Sequence, residues 1–338
     1  MKHNVTVIIP CLNEEDYIEA VIHSVLNQEF TLGEFELIIV DGNSTDKTVE
    51  IVEGLITKDD RLRIINNPKR IAPAAMNLGI AAAKYELVLR LDAHAIAKEG
   101  FIQKSVELLI SDDQVMCAGG QIDNVYENKV SEDIGAAMSS KFGVGDATFR
   151  VGGEKTYVDT LAFGVFRKKV FDEVGVYDES LDRNEDDDLS YRITKAGYKI
   201  LFSPEVRSQY YVRASYPKLW NQYFQYGYWK VRVGKKHKAV TSIRQLIPFL
   251  FVTGLLLGAI LAIVLPYFWM LYTAGIALYI AVSLWAANTA SKDKSRVFQV
   301  ALVFYILHLS YGWGYLKGVV DFLILQKGPS KKSKELTR

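Results

Sequence analysis

Three acidic motifs carry the chemistry this chain is equipped to do. Asp41 ends the apolar run Phe35-Glu-Leu-Ile-Ile-Val40, and Asp92 ends Tyr85-Glu-Leu-Val-Leu-Arg-Leu91 and is followed by Ala93 and His94. The third motif is Glu185-Asp186-Asp187-Asp188. All three lie where an apolar segment gives way to polar loop, and in open α/β sheets ligands bind beyond the carboxyl ends of the strands. Carboxylates there, with an imidazole nearby, suit a divalent metal that holds a diphosphate. Asp92 and His94 are two apart, so in an extended loop both turn toward one ion. Oxygen plus imidazole ligation suits Mn²⁺, with Mg²⁺ as the alternative, and such a metal neutralises a departing diphosphate. The four adjacent carboxylates raise the pKa of at least one of their number, as a general base requires. Together the motifs imply an enzyme that uses a nucleotide-activated substrate.

Each motif also has a plainer reading; for Leu91-Asp-Ala-His94 it is a loop in which His94 is simply a surface polar group. Pro10-Cys-Leu-Asn-Glu-Glu15 follows the first strand; it holds a base or ribose, or it is a helix start with Asn13 as the cap and Glu14 and Glu15 in the first turn. Val40-Asp-Gly-Asn-Ser-Thr-Asp46 offers Asp41 to a uracil or ribose, or it is a turn built of ordinary turn residues. The run at Glu185 is equally a solvated helix start favoured by the helix dipole, with Arg183 and Arg192 within reach as structural partners. In Ser208–Arg213 and Trp220–Lys230, Arg213, Gln225 and Trp229 are candidates for holding an acceptor or its phosphate. An amphipathic interfacial helix with an aromatic belt explains most of the same residues.

The elements that must position these motifs alternate. Val5–Pro10, Phe35–Val40, Leu62–Ile65 and Glu86–Leu91 read as strands, and Glu14–Gln28, Thr45–Thr57 (capped by Ser44 or Thr45) and Ala74–Lys84 as helices, with Pro73 in the first turn of the last. Strands alternating with helices mean βαβ units and a parallel sheet. Beyond a helix at Phe101–Ser111 the rhythm is mixed. Val115–Val125 and Tyr157–Phe166 read as longer strands, Ser131–Phe142 and Glu185–Ala196 as helices, and Trp220–Val233 leads toward the membrane.

Composition narrows the class. Lys and Arg number 40 against 39 Asp and Glu in 338 residues, which argues against a general nucleic-acid binder. Two cysteines, Cys11 and Cys117, give no disulfide framework and fit a reducing compartment. The segment Met1–Asn4 runs straight into strand-like sequence, so no signal peptide is expected. No G-x-G-x-x-G follows a strand and no G-x-x-x-x-G-K-[ST] occurs, so dinucleotide redox and P-loop chemistry lose support. Between Arg244 and Lys292 there is no charged residue, a stretch more than twice the roughly 20 residues that one membrane helix needs. Pro266 divides it into spans near 246–265 and 268–287, with Trp269, Tyr272 and Trp285 near their ends. A third apolar stretch, 297–325, contains His308, Lys317 and Asp321. The basic segments Lys230–Arg244, Lys292–Arg296 and Lys327–Lys334 all read as cytoplasmic, so two spans plus a re-entrant or interfacial third segment are expected. The domain division expected is 1–235 for the catalytic part and 236–338 for the membrane region.

In order and spacing, Val7-Ile-Ile-Pro-Cys-Leu-Asn-Glu-Glu15, Val40-Asp-Gly-Asn-Ser-Thr-Asp-Lys-Thr48, Asn77-Leu-Gly79 and Glu185-Asp186 resemble the family-2 glycosyltransferases with a GT-A fold, from about Val5 to Lys230. Leu91-Asp-Ala-His94 and Gln222-Tyr-Phe-Gln-Tyr-Gly227 are most similar to the exopolysaccharide branch. The resemblance implies an α/β fold with a mainly parallel central sheet, followed by C-terminal transmembrane helices. It implies a nucleotide-sugar-binding set of Pro10, Asn13, Glu14, Asp41, Arg70 and Asp92, a metal (Mn²⁺ or Mg²⁺) on Asp92 and His94, and Asp186 as catalytic base with Glu185 beside it. His94 stands where the family's D-x-D has its second acid. Gln225-Tyr-Gly-Tyr-Trp229 has Tyr228 where processive members carry the Arg of Q-x-x-R-W.

The expected function is inverting transfer of a single sugar, from a nucleotide-diphospho-sugar, UDP-linked above all, to a polyprenyl-diphosphate-linked saccharide. The enzyme is expected to be a multi-pass protein of the cell membrane with its catalytic part cytoplasmic, and no nucleic-acid partner is expected. The alternatives are a polyprenyl-phosphate glycosyltransferase of the dolichyl-phosphate mannose synthase type, whose acceptor phosphate needs no base, and a non-catalytic membrane scaffold that binds nucleotide sugar.

Overall fold

The computed structural model describes residues 2–240 and 243–329. Residues 330–334 of the expected basic tail lie outside the described residues. Strand β1 (Val5–Cys11) leads through helix α1 (Ile18–Leu26) to β2 (Phe35–Asp41), α2 (Thr48–Ile56), β3 (Leu62–Asn66), α3 (Ala72–Ala82) and β4 (Leu87–Arg90). Next come β5 (Ala95–Ala97), α4 (Phe101–Ile110), β6 (Val115–Val125) and the short helices α5 (Lys129–Met138), α6 (Lys141–Val144) and α7 (Thr148–Val151). The chain continues through β7 (Thr156–Tyr157), β8 (Gly164–Arg167), α8 (Lys169–Val174), α9 (Glu185–Lys195) and β9 (Lys199–Tyr211). The long helices α10 (Tyr216–His237), α11 (Ile247–Val264), α12 (Phe268–Ala290) and α13 (Val297–Gly318) complete it. Two compact units result: the residues up to Asn124 with Gly152–Tyr211, and Val125–Val151 with the residues from Val212 onward.

In the first unit the described strands form one sheet in the order β3-β2-β1-β4-β8-β6-β9-β5, with β7 paired to β9. β3, β2, β1 and β4 run parallel, and β4–β8, β8–β6 and β9–β5 pair antiparallel. Every residue of β2 is buried and all of β1 but Pro10, as strands covered by helices on both faces must be. Glu36 of β2 is tolerated in this core because it accepts from Thr6 Oγ1 at 2.7 Å, Arg63 Nε at 3.1 Å and the Lys84 amide at 2.8 Å. The strand order reverses at β1: β2 and β3 lie on one side and β4 on the other. In such a sheet the carboxyl ends of the two strands at the reversal open a crevice, here beyond β1 and β4.

Two local expectations are corrected. Tyr157–Phe166 is not one strand; Thr156–Tyr157 pairs with β9, Gly164–Arg167 pairs with β4 and β6, and the residues between leave the sheet. Neither Ser44 nor Thr45 caps α2, which starts at Thr48 after Lys47, because the Ser44 hydroxyl is turned back to Asp41.

In the second unit, α5 opens with a capping box in which Asn128 Oδ1 accepts from the Ser131 amide and Ser131 Oγ from the Asn128 amide, each at 2.9 Å. Arg296 grips the buried Asp133 of α5 through two N–H groups, and Arg244 Nη1 donates to Asp146 at 2.9 Å. His308 of α13 spans from Tyr279 Oη to the Phe142 carbonyl, 2.8 Å each. These contacts tie residues 125–151 to the apolar helices, so a piece of the middle of the sequence packs with its C-terminal part. Three stretches, Ile243–Val264, Phe268–Ala290 and Lys294–Ile324, are long and apolar enough to cross a membrane. The third, expected to be re-entrant or interfacial, has 31 residues and is half buried inside the protein, against 11% and 17% for the others, which makes it the packed centre of the set.

Helices α10 and α13 approach backbone to backbone. A Cβ on Gly314 would lie 2.0 Å from the Phe224 carbonyl oxygen, and one on Gly227 2.0 Å from that of Tyr311. Small residues at the contact are what permit so close an approach of two helices. Gly314→Val is therefore expected to force α10 and α13 apart. Detergent-solubilised protein should aggregate or melt at least several degrees lower, while Gly275→Val, where a Cβ meets nothing within 4 Å, leaves the melting temperature near wild type.

Candidate active site

Register sets the frame. Cys11 pairs with Asp41 and Asp41 with Asn66, so the loops after β1, β2 and β3 leave the sheet side by side. The first two are laced together. Asn13, at φ 55°, accepts from the Thr45 amide at 2.8 Å and donates its own N–H to Ser44 Oγ at 2.8 Å. The Glu14 amide donates to Thr48 Oγ1 at 2.8 Å, and Glu15 accepts from the Lys47 amide at 3.0 Å. Asn13 thus clasps two loops and does not cap α1, which starts at Ile18 with Tyr17 before it. Asp41 is buried and accepts from the Ser44 amide at 3.0 Å and from Ser44 Oγ at 2.6 Å, the turn geometry its neighbours favour. Cys11 Sγ lies 3.6 Å from the same carboxylate; burial, with the charge of Asp41, pushes the thiol well up, so it stays protonated and donates. Arg70, exposed and at φ 59°, reaches from the β3 loop to the Asn43 carbonyl at 3.1 Å. Asn13, Asn43 and Arg70 are three positive-φ residues other than glycine in adjacent loops, a clustering of backbone strain typical of functional sites. Pro10 sits in β1 opposite Val40.

The reversal point brings two motifs together. Glu14, after β1, has Oε1 3.2 Å from His94 Nδ1, after β4. The His94 ring also packs edge-on to Tyr210 at 5.1 Å between centroids. With its proton on Nδ1, the imidazole is oriented by a carboxylate and carries its lone pair on Nε2, the arrangement found around metal-ligating histidines. Asp92 is a quarter exposed, and its Oδ1 accepts from Arg90 Nε at 3.3 Å. Among the described residues no three His, Cys, Asp or Glu side chains form a metal cage. One carboxylate plus one imidazole, with the rest of the shell left to diphosphate oxygens and water, is the donor set of a metal carried in with a nucleotide, so these residues fit one.

The third motif heads α9, whose preceding residue Asn184 is held at φ 61°. Glu185 is buried and accepts from Arg90 Nη2 at 3.1 Å. Asp186 is half-buried, with Oδ1 on the Asp187 amide at 2.8 Å. Burial first, then crowding by Glu185 and Asp187, pushes its carboxyl up to about 7, against the opposing pull of the Arg90 cation. Asp188 is spent on structure, as the plainer reading held: it accepts from Arg192 Nε at 2.9 Å, and the Arg192 guanidinium also closes on the Gly175 and Val176 carbonyls. Asn77 belongs to the frame as well, exchanging hydrogen bonds of 2.9 Å with the Tyr177 backbone.

The structure therefore gathers Glu14, Asp92, His94 and, through Arg90, Glu185 and Asp186 in the first unit, with Asp41 and Asn13 beside them in the laced loops. Arg213, Gln225 and Trp229 belong to the second unit, where Gln225 and Trp229 are buried in α10 and Arg232 lies over the Trp229 ring at 5.6 Å. The residue that sequence reasoning passed over is Arg90. Its signal was there: a lone cation inside the apolar strand Glu86–Leu91 must find carboxylates if it is buried.

Residues 6–175 match Glycosyl transferase family 2. The chain is 34% identical to the succinoglycan biosynthesis protein ExoA of Rhizobium meliloti (strain 1021), over 94% of this chain and 95% of that protein. It is 26% identical to the dolichyl N-acetyl-alpha-D-glucosaminyl phosphate 3-beta-D-2,3-diacetamido-2,3-dideoxy-beta-D-glucuronosyltransferase of Methanococcus voltae, over 94% of this chain and 97% of that one. Its fold superposes on mannosyltransferase PcManGT from Pyrobaculum calidifontis, solved in complex with GDP-Man and Mn²⁺, with a TM-score of 0.63 at 18% identity, covering 93% of this chain and 88% of that one. The sheet is thus the GT-A sheet that the motifs implied, and the chain belongs to glycosyl transferase family 2, the glycosyltransferases.

Proposed function

We propose that the chain moves one sugar, with inversion, from a nucleotide-diphospho-sugar to a polyprenyl-diphosphate-linked saccharide at the cytoplasmic face of the cell membrane, in exopolysaccharide or cell-surface glycan synthesis. The observation that carries the reading is the buried cation Arg90, which joins the Asp92 loop to the acidic head of α9, so that a carboxylate suited to a donor diphosphate stands near one suited to an acceptor hydroxyl. Asp41, Pro10, Asn13, Glu14 and Arg70 would surround the nucleotide. Asp92 and His94 would hold Mn²⁺ or Mg²⁺, which supplies neutralisation of the leaving diphosphate. Asp186 takes the acceptor hydroxyl proton as that oxygen attacks the anomeric carbon, and the bond from that carbon to the diphosphate oxygen breaks with inversion. A base tuned to about 7 is matched to this work at neutral pH. In this reading residues 1–235 carry the transfer chemistry and 236–338 the membrane region. Of the three residues expected to meet the lipid-linked acceptor only Arg213 is kept, because Gln225 and Trp229 are buried in α10. The named activity of the Methanococcus relative, transfer onto a dolichyl-linked sugar phosphate, supports an acceptor of this kind.

The test is nucleotide release from purified protein in detergent, offered UDP-, GDP- and dTDP-sugars with Mn²⁺ or Mg²⁺, with and without a lipid extract. Metal-dependent release from one donor, increased by lipid-linked saccharide, is the expected result. Release stimulated by polyprenyl phosphate alone would replace this reading with the polyprenyl-phosphate type. Donor binding without turnover across all acceptors would replace it with the scaffold.

A further inference from the structure

Arg90 ends β4, a strand whose four residues are all buried. A buried guanidinium costs several kcal/mol unless it is paired and hydrogen-bonded. Its partners are specific. Nε donates to Asp92 Oδ1 at 3.3 Å, Nη2 donates to Glu185 Oε1 at 3.1 Å, and the Tyr177 ring lies 5.7 Å from Cζ. The third nitrogen, Nη1, has no hydrogen-bond partner among the described residues. Arg90 also lines a cavity of about 10 Å³ together with Asp186, Ser190 and Tyr177, a volume that fits one water molecule.

The pairing satisfies the buried charges, but stability alone does not require an ionic cluster at this point of the strand. Val88, two residues earlier and so on the same face of the strand, shows what the strand would otherwise carry, and an apolar residue in place of a buried ion pair is often neutral or stabilising. What a guanidinium adds is geometry, because its N–H groups diverge at fixed angles in one plane. Asp92 is two residues further along the chain, whereas Glu185 is 95 positions away and immediately precedes Asp186. Fixing Glu185 therefore fixes the first turn of α9 and, with it, where the Asp186 carboxylate stands.

We propose that Arg90 is a positioning residue for transfer: its guanidinium fork locks the acidic head of α9 to the Asp92 loop, holding the proton acceptor in register with the carboxylate that faces the donor diphosphate. The proposal rests on the reading of Asp186 as the base. Arg90 itself touches no reacting atom in it.

The experiment uses the full-length protein in detergent and the donor that wild type turns over. Arg90→Lys keeps the charge and loses the fork. The expected result is a folded protein that binds the released nucleoside diphosphate (UDP or GDP, with MnCl₂) within about threefold of wild type by calorimetry. Its kcat should fall by about 100-fold, with the donor KM nearly unchanged, as a displacement on the order of 1 Å does. A purely stabilising Arg90 would lower the melting temperature and leave kcat per folded molecule at the wild-type value, and that outcome overturns the proposal. Should Arg90→Lys not fold, Tyr177→Leu removes the ring that backs the guanidinium and keeps every charge. It is expected to lower kcat by about tenfold at constant KM, and an unchanged kcat there is equally fatal. Wild-type kcat in Asp186→Asn would remove the base reading, whereas wild-type kcat in Arg90→Lys with an inactive Asp186→Asn removes the positioning role alone.

Discussion

Asp186→Asn is expected to lose transfer by about 10²–10⁴-fold, the share a general base usually supplies, while the protein stays folded and binds nucleotide as before. Its stability should move the other way. The Asp186 carboxyl is pushed from an ordinary 3.8 up to about 7, by burial first and by the neighbouring Glu185 and Asp187 charges next. A carboxyl whose folded pKa is raised holds a proton that the unfolded chain has already released. Stability is therefore lost as pH rises from about 4 to about 7, and the whole cost is present above 7. Asparagine cannot ionise, so the variant should melt higher than wild type at pH 8 and at nearly the same temperature at pH 4. The wild-type rate should in turn fall about tenfold per unit as pH drops below about 7, because the base is then protonated, and the residual rate of the variant should lack that limb. Melting curves and pH–rate profiles of the two proteins check all of this together. A variant that is inactive and also less stable at pH 8 would make Asp186 a structural residue.

Asp92→Asn should be the other severe lesion. The substitution keeps the shape and an oxygen for Arg90 Nε, which now stands 3.3 Å from Oδ1, and it removes only the charge. If that charge holds a metal on the donor diphosphate, kcat should fall by about 10²–10³-fold, the scale for removing one group that stabilises developing charge. The Mn²⁺ concentration for half-maximal rate should rise, and nucleotide binding measured without metal should change little. Mn²⁺ titrations of nucleotide release by wild type and variant decide it. An unchanged metal requirement with a reduced rate would show that Asp92 acts only by pairing with Arg90. Losing the charge also leaves Arg90 with Glu185 as its remaining buried anionic partner, so some loss of stability is expected in this variant and not in Asp186→Asn.

Much of the site was legible in order along the chain. Asp41 and Asp92 each follow or end an apolar run, and in a parallel sheet such strand ends converge; Glu185 opens a polar helix. What the residues did locally was less legible. Asn13 has the composition of a cap, yet it bonds Thr45, because the adjacent loop offers an amide at the right distance. Tyr157–Phe166 has strand composition throughout, yet only its ends find a partner strand.

The sequence by itself determined the alternation of strand and helix, the parallel first half of the sheet, the apolar helices and the motifs that name the family. The first three rest on local burial pattern, which is written in periodicity and in the run lengths of apolar residues, and the motifs rest on residue identity and spacing. Tertiary structure alone decided which charges meet. Arg90 pairs with Glu185 across 95 positions and Asp133 with Arg296 across 163. It also decided that residues 125–151 pack with the C-terminal helices. A buried ion pair is selected by which ends of distant elements the sheet order brings together, and no periodicity within either element records its partner.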